Sequence, residues 1–380
     1  MPNYLNILIT GAAFLLFFLL LINPKKANIN GNRWFASFIF CLFVLTSIVV
    51  LINTKAISEK SIIREVDLVF IFLIAPLFYL SIQYFIKPNG KWSKRQCLHF
   101  GSAFLFLFLF ILSFLTNKEN PKNPDLPQST IDWVNYLLCT ILSFQVYCYC
   151  ALGYKKIIKH QKNILIHRSS VENINLNWLK NICIAVSIMG FFWAIDLIFR
   201  LSENYFLFDF FTSLLVLLII LYITYFWFQQ EEIYPYSPEE KKAINALMKE
   251  TNVLEEKKKK PVSDEDLEKI KTELLVLMEN EKPFLDSEIS LVKLSKKINV
   301  SAHQLSYIIN NGFDANFFQF INSYRIKEAQ KLILDSRMNH LSFLGIGFEV
   351  GFNSKTVFNT TFKKVTGKTP SEFKKCSSDL

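Results

Sequence analysis

Residues 342–373 read SFLGIGFEVGFNSKTVFNTTFKKVTGKTPSEF, and this stretch decides the fold of the C-terminal part of the chain. Its first half has apolar residues at the spacing of one helix face: Phe343, Ile346 and Val350. Gly351 ends that helix, and a second helix is predicted with three inward apolar residues: Phe358, Phe362 and Val365. Two short helices joined by a tight turn indicate a helix-turn-helix unit. Thr369 and Glu372 then predict a capping box that opens a last short helix.

A similar pattern occurs earlier in the chain. One predicted helix carries an apolar stripe at Leu291, Leu294 and Ile298. After a polar break, Ser301 and Gln304 predict a capping box for a second helix. The expected inner face of this second helix is Leu305, Ile308 and Ile309. A longer helix over residues 317–335 is predicted between the two helix-turn-helix units.

Three segments resemble a known family. Residues 316–333, NFFQFINSYRIKEAQKLI, resemble the linking helix of AraC-type transcription regulators. Residues 351–358 and 362–373 resemble that family's second helix-turn-helix unit and its signature tail. The resemblance covers residues 284–375, about a quarter of the chain, and implies a domain that binds promoter DNA. The family usually has Ala where Ser295 and Gly347 stand, and Gly347 is expected to loosen its helix by up to about 1 kcal/mol.

A recognition helix presents outward side chains to the major groove of DNA. The candidates for base reading are polar residues on or beside the outward faces of the two second helices: His303, Gln304, Ser306, Tyr307, Lys355, Thr356, Asn359 and Thr360. The candidates for phosphate contact, which positions a protein without reading sequence, are Arg325, Lys363 and Lys364. The alternative for each of these residues is a solvated surface side chain.

The chain before residue 230 predicts a membrane region. A membrane-spanning helix needs about 20 apolar residues. Seven segments are candidates: 4–22, 34–52, 68–86, 98–115, 133–153, 179–199 and 210–228. Pro76 lies in the third segment, where a neighbouring helix is expected to satisfy the carbonyl that proline leaves free. No basic residue precedes the first segment, so it is not expected to be a cleaved signal peptide.

Basic residues predict the orientation of these segments. Lys25, Lys26 and Arg33 follow the first segment, which favours an outside N-terminus. In that orientation the predicted inner loops hold twelve Lys and Arg, against six in the outer loops. Seven crossings then place the C-terminal part in the cytoplasm. The predicted location is therefore the inner membrane of a bacterium.

Three charged residues are candidates for a sensor pocket. Asp196 and Arg200 are four residues apart and share one helix face. One interpretation is a mutually neutralising pair near the outer boundary of the membrane. The other is that this pair and Asp209 line a ligand pocket open to the outside.

Neither a metal nor a cofactor is expected, because the seven Cys include no CxxC pair and no His lies in an HExxH arrangement. The sequence also has no GxxxxGK[ST] phosphate loop and no GxSxG motif, so an enzyme is not expected.

The predicted connector, residues 231–282, is polar and rich in both charges. Its last part has an apolar seam at helical spacing: Leu267, Ile270, Leu274 and Leu277. The seam predicts either a helix packed on its own domain or a signalling helix that pairs in a dimer. Beyond it, residues 283–380 carry 13 basic and 8 acidic residues, a balance that suits DNA and also anionic lipid.

The predicted fold is all-α. A polytopic seven-helix membrane bundle (1–230) is followed by a helical connector (231–282) and a soluble helical domain with two helix-turn-helix units (283–380). This organisation predicts a membrane-embedded one-component transcription regulator gated by a signal. The alternative is a seven-span receptor whose cytoplasmic tail recruits protein partners, and a transporter is more distant. The expected partners are promoter DNA, the lipid bilayer, a second copy of the chain, RNA polymerase, and an unknown small-molecule or envelope signal.

The orientation can be checked with reporter fusions. Alkaline phosphatase, which is active only outside the cytoplasm, should be active when fused after residue 120 and inactive when fused after residue 235. A cytoplasmic reporter at the same two positions should give the opposite result. Activity on the wrong side at either position would contradict the predicted orientation.

Overall fold

The computed structural model describes residues 2–23, 28–57, 62–88, 90, 92–119, 128–167, 169, 175–199, 206–229 and 264–378, whose regular elements are helices. Eight helices lie before residue 230: α1 (Pro2–Ile22), α2 (Ile29–Asn53), α3 (Ile62–Ile86), α4 (Lys94–Cys97), α5 (Gly101–Glu119), α6 (Gln128–His167), α7 (Asn177–Phe199) and α8 (Phe206–Gln229). Seven follow: α9 (Asp264–Asn280), α10 (Leu291–Lys297), α11 (Ala302–Gly312), α12 (Phe317–Leu334), α13 (Phe343–Glu349), α14 (Lys355–Thr366) and α15 (Pro370–Ser378).

Contacts divide the chain into two compact units. The first comprises residues 1–159 and 176–233, and the second comprises residues 160–175 and 234–380. The second unit therefore includes the last two turns of α6 and the residues that follow it up to 175. The linear boundaries predicted at residues 230 and 282 remain a prediction.

In the first unit, a helix lies at each of the seven predicted segments. Among the described residues, four helices are long and apolar enough to cross a membrane: Tyr4–Ile22, Ile29–Asn53, Asp67–Ile86 and Phe210–Gln229. Large apolar side chains of α1, such as Leu8 and Leu15, face outward. These properties are compatible with insertion into a bilayer, where exposed apolar side chains carry no hydration cost. The count of seven spans remains a prediction.

Polar contacts between helices fix the packing of the first unit. α2 packs against α1 and α3, and α8 packs against α1. The indole nitrogen of Trp227 on α8 donates to the side-chain oxygen of Asn32 on α2, at 3.0 Å, and both residues are buried. Such a bond satisfies two polar groups that would be costly in an apolar environment.

Pro76 lies inside α3, as the sequence predicted. A proline cannot donate to the carbonyl four residues earlier, which here is the carbonyl of Phe72. The side-chain nitrogen of Gln145 on α6 donates to that oxygen at 3.1 Å and also to the hydroxyl of Ser102 on α5 at 3.2 Å. The expectation that a neighbouring helix satisfies the free carbonyl is confirmed.

Two hydrophobic cores organise residues 264–378, and both use α12. The first core joins α9, α10 and α11 to the N-terminal half of α12: its buried residues are Leu274, Met278, Phe284, Ile289, Leu291, Leu294, Leu305, Ile309, Phe317, Phe320 and Ile321. The second joins α13 and α14 to the C-terminal half of α12: its buried residues are Ile326, Ala329, Ile333, Ile346, Val350, Phe352, Phe358 and Phe362. The long linking helix thus holds both helix-turn-helix units.

The connector helix α9 packs on its own domain. Leu274 and Met278 are fully buried in the first core, and Leu277 packs against it. Of the two interpretations left by the sequence, the structure supports packing within the domain. The buried part of this seam is not free to pair with a second copy.

Two glycines shape the second helix-turn-helix unit. Gly347 lies against Phe358, and a Cβ at position 347 would be 3.0 Å from the nearest carbon of that ring. Glycine therefore permits a close contact between α13 and α14, and the loosening expected from the sequence remains a prediction. Gly351 has a φ of 93°, and a Cβ there would lie 2.7 Å from the backbone oxygens of Phe284 and Leu285.

Replacing Gly351 by Ala should destabilise the second unit strongly. The positive φ strains an L-residue by about 1–2 kcal/mol, and the clash with two backbone carbonyls adds a further cost of about 1–3 kcal/mol. Hydrogen exchange of the α13 and α14 amides, followed in the full-length protein at increasing urea concentration, would measure the loss of unfolding free energy of this unit.

Gly367→Ala is the matched control for this substitution. Gly367 has a φ of 78°, but nothing lies within 4 Å of its added Cβ. The control should therefore cost only the backbone strain of about 1–2 kcal/mol, without the cost of the clash. If the two variants lose the same free energy of unfolding, the close approach at Gly351 is contradicted.

Candidate nucleic-acid interface

The first helix-turn-helix unit is built from α10 and α11. Asn299 in the turn has a φ of 53°, which lets the chain reverse between the helices. The hydroxyl of Ser301 accepts from the Gln304 amide at 3.2 Å, and the Gln304 side-chain oxygen accepts from the Ser301 amide at 3.0 Å. The predicted capping box is confirmed.

One face of α11 is buried, and this fixes which residues face outward. Leu305, Ile308 and Ile309 are buried, as predicted. The four candidates for base reading on this helix are all partly exposed: His303, Gln304, Ser306 and Tyr307. The Gln304 oxygen accepts the Ser301 amide in the capping box, and its NH2 group can donate to a base edge.

The second unit is built from α13 and α14. The hydroxyl of Ser354 accepts from the Thr356 amide at 3.2 Å and begins α14. Phe358 and Phe362 are buried, as predicted. Val365 is 50% exposed, so the prediction that it faces inward is wrong. Val365 lies in the last turn of α14, one residue before its end, beyond the buried part of the second core.

The outward surface of α14 is polar and basic. Lys355, Thr356 and Thr360 are exposed, and Asn359 is partly exposed. Lys363 and Lys364 are exposed in the last turn. The helix contains no acidic residue, whereas α11 contains neither Lys nor Arg. The positive charge that attracts phosphates is therefore concentrated on the second of the two helices.

The last helix, α15, begins at a capping box. The hydroxyl of Thr369 accepts from the Glu372 amide at 3.3 Å, and the Glu372 carboxylate accepts from the Thr369 amide at 2.8 Å. These bonds confirm the capping box predicted from the sequence. The bond from the Thr369 amide lowers the pKa of Glu372, because it stabilises the charged carboxylate.

Arg325 is not available to contact phosphate, and that prediction is wrong. The residue is fully buried. Its Nε donates to the carbonyl of Phe284 at 2.7 Å, and one Nη donates to the carbonyl of Asp286 at 2.9 Å. The remaining bonds go to the side chain of Asn322 and to Ser169.

Burial of the Arg325 guanidinium has an electrostatic consequence. Desolvation lowers its pKa to about 10, while the nearby carboxylates of Asp286 and Glu288 raise it. The side chain therefore remains charged at neutral pH. Its carbon Cζ also lies 5.6 Å from the centre of the Phe352 ring, in the turn of the second unit.

The sensor candidates fall outside what the structure describes. Arg200 lies outside the described residues, as do the side chains of Asp196 and Asp209. Among the residues that are described, no group of three His, Cys, Asp or Glu side chains is placed to hold a metal ion.

Sequence reasoning missed the role of Ser169, which is buried against α12. No local pattern marks this serine, because its partners are 120 to 156 residues away along the chain.

Comparison with known proteins supports the helix-turn-helix assignment. Residues 294–375 match a family described as a helix-turn-helix domain. The chain is similar to the arabinose operon regulatory proteins of Salmonella typhimurium and Escherichia coli, each 28% identical over 89 residues. It is also similar to the Msm operon regulatory protein of Streptococcus mutans, 30% identical over 89 residues.

These similarities concern one part of each protein. They cover 23% of this chain and 31%, 30% and 31% of the three relatives, so the chain spans about a third of the length of the curated relatives it matches. No solved structure matches the chain. The C-terminal part of this protein is thus a helix-turn-helix domain, with two units held on one linking helix.

Replacing Lys355 or Lys363 by Ala should weaken DNA binding roughly three- to tenfold, because Lys355 is expected to contact a base edge and Lys363 to neutralise a phosphate. The dependence of affinity on salt should become shallower by about 0.9 per lost contact. Titration of full-length protein in lipid nanodiscs with promoter DNA, at several salt concentrations, would measure both effects.

Lys331→Ala is the control, since Lys331 is an exposed lysine on the linking helix that pairs with Glu328. It removes the same charge outside the two recognition helices. Unchanged affinity at low salt for the α14 variants would remove Lys355 and Lys363 from the interface.

Proposed function

We propose that this protein is a membrane-embedded one-component transcription regulator that binds promoter DNA sequence-specifically through its two helix-turn-helix units. The observation that carries the proposal is the pair of capped second helices, α11 and α14, each with a buried apolar face and an outward polar face. The match of residues 294–375 to a helix-turn-helix family and the similarity of the chain to arabinose operon regulatory proteins support the same conclusion.

Base reading is assigned to the outward polar residues of both helices. On α11 these are His303, Gln304, Ser306 and Tyr307, and on α14 they are Lys355, Thr356, Asn359 and Thr360. Lys363 and Lys364 are assigned to phosphates, since they are exposed lysines at the end of a helix without acidic residues. Neutral amide and hydroxyl groups on α11 favour direct hydrogen bonds to base edges.

The membrane part of the proposal is supported by the apolar helices of the first unit. A chain with seven such segments, an outside N-terminus and a cytoplasmic DNA-binding domain would join a sensor to a promoter without a second protein. The signal, a small molecule or a change in the envelope, would act in or across the bacterial inner membrane. Asp196, Arg200 and Asp209 are the proposed sensor residues.

Pairing of two copies is a further part of the proposal. Each domain reads a short site. When two domains are linked, binding of the first raises the effective concentration of the second, and affinity increases. This requires half-sites that are spaced by whole turns of the DNA helix. Because Leu274 and Met278 pack within their own domain, this pairing would use surfaces other than the buried part of that seam. RNA polymerase is the proposed partner of the assembled regulator at a promoter.

Crosslinking of the tagged full-length protein to DNA in its own cell tests the proposed function. The recovered fragments should be enriched in promoters and share a sequence motif. Because two recognition helices read consecutive turns of the major groove, the motif should contain two elements about 10 base pairs apart.

A variant without residues 283–380 is the control, and it should recover no shared motif. If the full-length protein recovers no shared sequence and instead copurifies with a cytoplasmic protein through residues 283–380, the receptor alternative replaces the regulator.

A further inference from the structure

The end of α6 and the residues that follow it lie in the same compact unit as the DNA-binding domain. Residues 160–175 are grouped with residues 234–380, although more than fifty residues separate the two stretches in sequence. Ser169 is only 1% exposed. In a predicted cytoplasmic loop with five basic residues nearby, burial of a serine indicates a docked segment.

Ser169 makes four hydrogen bonds, all to residues of the DNA-binding domain. Its hydroxyl donates to the carbonyl of Ile289 at 3.1 Å and accepts from Nη2 of Arg325 at 3.2 Å. Its carbonyl accepts from Nδ2 of Asn322 at 3.4 Å and from Nη1 of Arg325 at 3.5 Å. The hydroxyl and the carbonyl of one residue therefore serve the same small site.

The site on the domain is the buried guanidinium of Arg325, which needs hydrogen-bond acceptors. Arg325 has five N–H donors, and five acceptors lie within hydrogen-bond distance of them. Two of those five acceptors are the carbonyl and hydroxyl oxygens of Ser169. Without the serine, part of a buried guanidinium would lose its partners and would have to be hydrated instead.

The position of this site connects it to both helix-turn-helix units. Ile289 comes just before α10, which opens the first unit, and Arg325 stacks near Phe352 in the turn of the second. Arg325 lies between Ile321 of the first core and Ile326 of the second. A segment that holds Arg325 therefore acts at the junction of the two cores.

The segment is joined directly to a long helix. α6 runs from Gln128 to His167, which at 1.5 Å per residue is roughly 60 Å, about twice the thickness of the hydrocarbon layer. The side chain of Gln161 on α6 donates to the carbonyl of Asn175 at 2.7 Å, so the far end of the segment is held to the same helix. Axial movement or rotation of α6 would therefore move Ser169.

We propose that the segment around Ser169 is a restraint that holds the DNA-binding domain through Arg325 and Asn322, and that its release frees the domain to bind promoters. This inference rests on the proposed function. In the docked state the domain is held by two connections, the segment and the chain through residues 230–263. After release only the covalent connection through the chain remains, and the recognition helices lose one restraint.

Replacing Ser169 by Ala removes the two hydroxyl bonds, and Asn322→Ala removes both the bond to the serine carbonyl and one acceptor of Arg325. Both variants of the full-length protein should increase occupancy of the promoters recovered by crosslinking, by about tenfold for Ser169→Ala. Ser323→Ala is the matched control, because the Ser323 hydroxyl bonds to the carbonyl of Phe320 within α12. The control should leave occupancy unchanged.

Hydrogen exchange on the same full-length proteins in nanodiscs reports docking independently of DNA. Ser169→Ala should increase exchange in residues 160–175 and leave α13 and α14 as protected as in the unmodified protein. If Ser169→Ala also increases exchange in α13 and α14, the variant has disturbed the domain itself. The promoter occupancy of Asn322→Ala then decides whether the restraint exists.

The outcomes separate the two proposals. If the unmodified protein recovers no promoter motif, the proposed function is overturned, and the restraint is overturned with it. If the motif is recovered but both variants stay within about twofold of the unmodified protein, only the restraint is overturned. Lower occupancy in both variants with intact α13 and α14 would also overturn it, because the contact would then promote binding.

Discussion

The buried guanidinium of Arg325 is the interaction on which the DNA-binding domain depends. A charged group loses several kcal/mol of hydration when it is buried, and only a full set of well-placed acceptors offsets that loss. Here the acceptors are the carbonyls of Phe284 and Asp286, the Asn322 side chain and both oxygens of Ser169. The guanidinium therefore holds together the turn at residues 284–286, helix α12 and the distant Ser169.

That arrangement explains how two helix-turn-helix units form one domain. Each unit has its own hydrophobic core, and the two cores meet at the middle of α12. At this junction Gly351 approaches the Phe284 and Leu285 carbonyls so closely that a Cβ would not fit. The Phe284 carbonyl also accepts from Arg325. Close contact and the hydrogen bonds of a charged group thus act together at the junction of the two units.

Local patterns predicted much of this architecture correctly. The capping boxes at Ser301 and Thr369 and the inner face of α11 could be predicted because each involves residues within one or two helical turns. Pro76 was also interpreted correctly, since the chemistry of proline requires a donor from elsewhere. Val365 was predicted to face inward but is exposed, because helical spacing does not show at which turn of a helix the core ends. Which residues contact DNA remains a prediction, because neighbouring outward positions have the same local pattern.

The sequence by itself determined the helices, their caps, the apolar character of the first unit and the two helix-turn-helix patterns, because all of these depend on neighbouring residues. Only the tertiary structure decided the role of Arg325, which in sequence is an ordinary basic residue on a helix. Its burial depends on carbonyls about 40 residues before it and on Ser169, 156 residues before it. No pattern along the chain records which distant oxygen atoms will surround a charge.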